Sequence, residues 1–158
     1  MMKKIFLLAV LVVMAIAGKA QNSADDLFNA YKDRPKVEYV HVPKMMMGIA
    51  KHVNTEDKNV KTLTKSIDSV KVLDLGDCDE SVKKELLEDI NKLNLKGYEE
   101  MVKVNDDGEK VLILTKTQKD RIREILILNA SLTDAAIVLL KGSILQSDLE
   151  QMVSDYTK

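Results

Sequence analysis

Tryptophan is absent from this chain of 158 residues, cysteine occurs once, and proline appears only as Pro35 and Pro43. One cysteine excludes an intrachain disulfide, so the fold must rest on packing. That residue, Cys78, stands in GDCDES beside Asp77, Asp79 and Glu80. Neighbouring negative charge disfavours a thiolate, which makes Cys78 a passive, partly buried residue and a poor nucleophile. Aromatics are also scarce. Beyond residue 20 only Phe28, Tyr31, Tyr39, Tyr98 and Tyr156 remain, which argues against a stacking platform for sugars or single-stranded nucleic acid. The two histidines, His41 and His52, come with no Gly-x-Ser-x-Gly, no phosphate loop and no zinc-type His/Cys spacing.

The one sustained apolar run, Ile5 to Ala17, follows Lys3 and Lys4 and ends in Gly18-Lys19-Ala20. A basic start, a short apolar stretch and small residues before a polar segment make residues 1–20 a signal peptide, with cleavage expected after Ala20. The run is too short for a transmembrane helix, and no cysteine marks a lipid-attachment point. The expected product is periplasmic or secreted, without a stable membrane anchor. Residues 1–20 carry three lysines and no acid, so removing them leaves 21 basic and 25 acidic side chains, a net charge of −4. Nucleic acid is therefore disfavoured as a partner. No repeat or linker divides residues 21–158, a length that suits a single domain.

Hydrophobic spacing predicts the elements. Ser23 caps a first helix carrying Leu27, Phe28 and Tyr31. KVEYVHVPK alternates, with Val37, Tyr39 and His41 on one side and Glu38, Val40 and Val42 on the other. Apolar residues on both sides predict a strand covered on both faces, ended by Pro43. Val60, Leu63 and Ile67 mark a helical face. SVKVLDLG is a strand, and the segment after it is the strongest helix, with Asp79 or Ser81 as cap, Val82, Leu86, Ile90 and Leu93 as its stripe and Gly97 as its stop. YEEMVKVNDDGEKVLILTKTQ is a hairpin turning at Asp107-Gly108. Two further apolar runs follow, and Ser147 to Glu150 form a capping box for a closing helix. Segregated helices and a run of strands predict α+β: a largely antiparallel sheet of about six strands with helices mainly on one face.

HVPKMMMGIAKH raises the question of soft-metal capture, because His41, Met45, Met46, Met47 and His52 cluster in sequence. Helical geometry weighs against it. Met45 and His52, seven residues apart, would lie about 10.5 Å apart along a helix axis, and none of the three methionines stands three or four residues from His52. Packing into irregular apolar space, or an exposed apolar patch, is the simpler role for methionine. Asp74, Asp77, Asp79 and Glu80 gather at a strand-to-helix turn but lack the glycine and distal glutamate of a calcium loop. A capped helix start with solvated charges accounts for them, and no cofactor is expected.

Several stretches together resemble domain of unknown function 4252: the early Leu-Phe-x-x-Tyr helix, VEYVHVPKMMMGIA, DSVKVLDLGDCDE, GYEEMVKVNDDGEKVLIL and LLKGSILQSDLEQM. The likeness spans roughly Leu27 to Met152. It implies a small exported protein of Bacteroidetes, with an envelope-sensing or accessory role by association, and it supplies no activity, ligand or catalytic residue. The resulting expectation is a non-enzymatic binding or accessory protein with an envelope protein as partner. Met45, Met46 and Met47 and the free strand edges are the first candidate surfaces. The alternatives are copper binding through His41, Met45, Met46, Met47 and His52, and a hydrolase built on Asp74, Asp77 or Asp79.

Overall fold

Ser23 accepts a hydrogen bond from the backbone N–H of Asp26 through its side chain at 3.1 Å, which satisfies an orphan donor and starts helix α1 (Ala24–Tyr31). The computed structural model describes residues 23–50 and 58–156. After α1 come β1 (Glu38–Val42), α2 (Lys44–Ala50), α3 (Lys58–Ser66), β2 (Ile67–Asp74), α4 (Glu80–Lys92), β3 (Tyr98–Asp106), β4 (Glu109–Gln118), β5 (Arg121–Ala130), β6 (Ala135–Leu145) and α5 (Gln146–Tyr156). The strands form one six-stranded, wholly antiparallel sheet in the order β1-β2-β6-β5-β4-β3. Strands β3 to β6 are a meander, and β2 joins it along β6. The expected α+β class, the antiparallel six-stranded sheet and the order of elements are those the chain adopts, while its helices divide between the two faces, α1 and α4 on one and α2 and α5 on the other.

Period-two alternation sends the residues of each strand to two faces, and residues opposite one another in an antiparallel ladder share a face. On the first face, Leu73, Ile137, Leu128 and Leu112 align across β2, β6, β5 and β4, with Leu139, Leu126 and Leu114 in the next row. Helices α1 and α4 cover these rows with Leu27, Phe28, Tyr31, Val82, Leu86 and Ile90, forming the larger core. Each fully buried leucine contributes about 1.5–3 kcal/mol, so this layer supplies most of the driving force. A smaller cluster lies on the second face at one end of the sheet, where Met47 of α2 and Leu149 of α5 meet Ile67, Ile122, Ile125, Ile144, Val42 and Val70. Gly142 makes this corner feasible, because a Cβ there would lie 2.2 Å from the carbonyl oxygen of Ser66 at the end of α3.

Three local expectations change. The β1 strand is not covered on both sides: it is the sheet's edge, pairs only with β2, and leaves Tyr39 and Val40 exposed at 44% and 54%. Helix α4 ends without Gly97. Leu93 turns extended, which drops Leu95 into the core, and Gly97, at φ +83°, then turns the chain into β3. Ser147 lies inside the first turn of α5, which begins at Gln146, and the Gln146 side chain reaches Glu150. At the β3–β4 hairpin, Asp107 and Gly108 both adopt positive φ, as its two-residue turn requires.

Candidate functional site

The second face carries the feature that distinguishes this molecule. Across all six strands Val40, Val72, Val138, Ile127, Ile113 and Val102 stand in register as one apolar row. The neighbouring row away from Met47 reads Glu38, Asp74, Ala136, Asn129, Val111 and Val104. Ile113 and Ile127 border the smaller core, whereas Val40, Val72, Val102, Val104, Val111 and Val138 belong to neither core. Val40 and Val104, on the two edge strands, are 54% and 46% exposed. Amid this surface the Asn129 side-chain oxygen is buried, with no hydrogen-bond partner among the described residues.

Helix α2 borders the same face. Its three methionines diverge because consecutive helical residues point about 100° apart. Met47 turns into the smaller core, while Met45 and Met46 are 85% and 56% exposed. His41 lies on the opposite face from Met47, in register with Lys71 and Leu139. There its ring stacks on Tyr39 at 6.5 Å, and Tyr39 meets Phe28 edge-on. His52 lies outside the described residues. The sheet thus separates His41 from Met47, and among the described residues no three of His, Cys, Asp and Glu gather in a metal-binding group.

Charge on the second face is one-sided. Its registered positions include Glu38, Asp74, Glu99, Asp106 and Glu109, and no lysine or arginine. Asp74 accepts the Gly76 N–H at 2.8 Å. Asp74 and Asp134 both place a carboxylate oxygen near Gly76, so with Glu38 they form an acidic corner. The opposite end carries charge of both signs: α2 and α3 bear exposed Lys44, Lys58, Lys61 and Lys65 and no acidic residue, whereas α5 beside them bears Asp148, Glu150 and Asp155 and no basic one.

Of the other acidic residues near this turn, Asp79 serves the fold. Asp79 is the N-cap residue of α4 and pairs with Lys36 at 3.4 Å, and Asp77 is exposed. Cys78 is buried and donates to the Pro35 carbonyl. Burial raises its thiol pKa, Asp79, Asp74 and Asp77 raise it further, and Lys83 only partly opposes them. A groove of about 250 Å³ between the end of α4 and β3–β4 is lined by Ile90, Asn91, Leu95, Tyr98, Lys103 and Lys110, among others. Among the described residues Glu100 is the one carboxylate along it.

Sequence periodicity named Val40 and placed the other valines within strand segments, but it did not gather them into one surface, because that requires strand order and register. The model of the family described as domain of unknown function (DUF4252) matches residues 31–152. No curated protein and no solved structure matches the chain.

Proposed function

We propose that this chain, which belongs to the domain of unknown function (DUF4252) family, is an exported, non-catalytic protein of the cell envelope. It binds a protein partner through the valine face and the adjoining Met45 and Met46. The family description names no activity, so the weight of this reading falls on the surface. Its main support is that six valines from five strands belong to neither core. Where one side of an antiparallel sheet faces water, polar residues ordinarily occupy that side. A contiguous apolar patch instead marks an interaction site, and methionine adapts to irregular partners. Export is supported by Lys3, Lys4 and the apolar run to Ala17. No helix among the described residues is long and apolar enough to cross a membrane.

The intact mass of the protein recovered from its own cells tests export. A chain beginning at Gln21 supports it, and one retaining Met1 refutes it. A photo-crosslinking residue placed in living cells at Val40, Val104 or Met46 tests binding. A discrete protein adduct, lost when Val72→Lys puts a charge on the face, supports the role; no adduct from any of the three positions ends it.

A further inference from the structure

The open part of the valine face is bordered by carboxylates that no nearby cation neutralises. We propose that its occupant is an amphipathic helix of a partner protein, apolar on one side and rich in lysine or arginine along the adjoining flank. This deepens the binding role and rests on it.

Unpaired charge sets the sign of the partner. At the end of the sheet away from Met47, Glu38, Asp74, Asp134, Glu109 and Asp106 follow one another from the β1 edge to the β3 edge. All five are exposed, and none forms an ion pair among the described residues. Off this face the arrangement differs: Asp25, Asp79, Glu85 and Glu124 each pair with a lysine or arginine of this chain. The end where α2, α3 and α5 lie carries both signs and selects neither. Asn129, in the row between the valines and the carboxylates, adds a buried acceptor oxygen without a donor among the described residues. A docked segment that brings donors satisfies both.

Shape favours a helix over a second sheet. The row from Val40 to Val102 runs across the strands, and five spacings of about 4.8 Å give it a length of about 24 Å, that of a helix of about 16 residues. The strip is one to two rows wide. With rows about 7 Å apart, that suits one helix about 10 Å across. Apolar residues at i, i+3, i+4 and i+7 meet the valines, and lysine or arginine stems lie along the apolar margin while their charges reach the carboxylates. A partner sheet covering the full strand length buries those carboxylates, which is costly without a cation opposite each.

Fluorescence anisotropy on the protein purified from its own cells, in salt of about 150 mM, reads the sign and the site. The probe is a labelled peptide of about 16 residues with leucines at helical spacing and lysines elsewhere, beside a copy with glutamate in place of lysine. The lysine peptide should bind at least about tenfold more tightly, and Glu38→Lys/Glu109→Lys or Val138→Asn should each weaken it about tenfold or more. Val40→Asn on the edge keeps the test valid if the central variant fails to fold. Asp33→Lys/Glu88→Lys makes the same change in net charge away from the face and should leave affinity within about twofold. No binding at 100 µM, equal binding of the two peptides, or an equal loss in the control variant overturns the helix. Photo-crosslinking in cells from Val40, Val104 or Met46, with the attached segment mapped by mass spectrometry, separates this proposal from the role beneath it. A basic amphipathic segment supports the helix. An acidic or extended segment, or a second copy of this chain, overturns it and leaves the binding role standing, and no adduct from any position ends both.

Discussion

The two faces of this sheet are built from the same strands and are both apolar, yet they meet different neighbours. Leu73, Leu112, Leu114, Leu126, Leu128 and Leu139 project from the first face into a layer sealed by α1 and α4. Valines dominate the second face beyond the Met47 cluster, and they enter neither core. Leucine is long enough to interdigitate with a helix across the layer, whereas valine packs sideways against cross-strand neighbours on a pleated surface. Polar ties close the margin of the covered face: Tyr31 donates to Asp89 and Tyr98 to Glu124, while Lys71 and Lys141 bracket Asp25 at 3.3 and 3.5 Å. Apolar strand residues are therefore not by themselves a guide to burial. The placement of the helices decides which apolar face becomes core.

The sharpest test sets one face against the other. Leu128→Ala, fully buried on the first face, should cost about 3–4 kcal/mol of unfolding free energy, by analogy with other buried leucine truncations. Val138→Ala, next in the chain to Leu128's cross-strand partner Ile137 and on the second face, should cost under about 1 kcal/mol. Urea unfolding measures both, and equal losses would break the distinction. At the Met47 end, Gly142→Ala should destabilise by about 1–3 kcal/mol, because the new Cβ meets backbone rather than a movable side chain. A melting temperature unchanged by that substitution would mean that the α3–β6 contact is loose.

Two smaller effects probe the margin of the covered face. Burial raises the Tyr31 phenol pKa above its ordinary 10.0, the Asp89 hydrogen bond and the charges of Asp89 and Glu85 add to this, and Arg34 opposes it. The folded state then disfavours ionisation, so the stabilisation is complete below pH about 10 and declines as pH rises beyond it. Tyr31→Phe should lose about 1 kcal/mol at neutral pH and flatten that alkaline decline, as read by unfolding titrations from pH 8 to 11. For Asp25, burial pushes the carboxyl pKa up, but Lys141 and Lys71 outweigh it and hold the group below its ordinary range. Its contribution is present above pH about 4 and fades as pH falls through the lowered folded value. Asp25→Asn should remove that acid dependence and cost under about 1 kcal/mol, since the side chain is half exposed and screened. Added salt should shrink the difference.

Much of the local structure was legible in the chain. Ser23 announced a cap, Asp107-Gly108 announced a hairpin, and the Val82, Leu86 and Ile90 spacing identified the buried stripe of α4. These signals are short-range, because capping, turn dihedrals and helical period are set within a few residues. The errors arose where distant segments meet. Val40 looked like a covered residue because apolar side chains occur on both sides of β1, but an edge strand has only one neighbour. The candidate surface was partly legible: Met45, Met46 and Met47 stood out in sequence, while which of them turns inward depended on where α2 docks.

By itself the sequence determined the list of elements, the dependence on packing that a single cysteine imposes, and the apolar alternation of each strand. Only the tertiary structure decided that β2 inserts beside β6, which aligns Val40, Val72 and Val138 with Ile127, Ile113 and Val102 in one row. It also decided that the helices leave most of that row outside either core. The physical reason is that periodicity is a property of one segment, whereas a surface is a property of how segments pair and what remains to cover them.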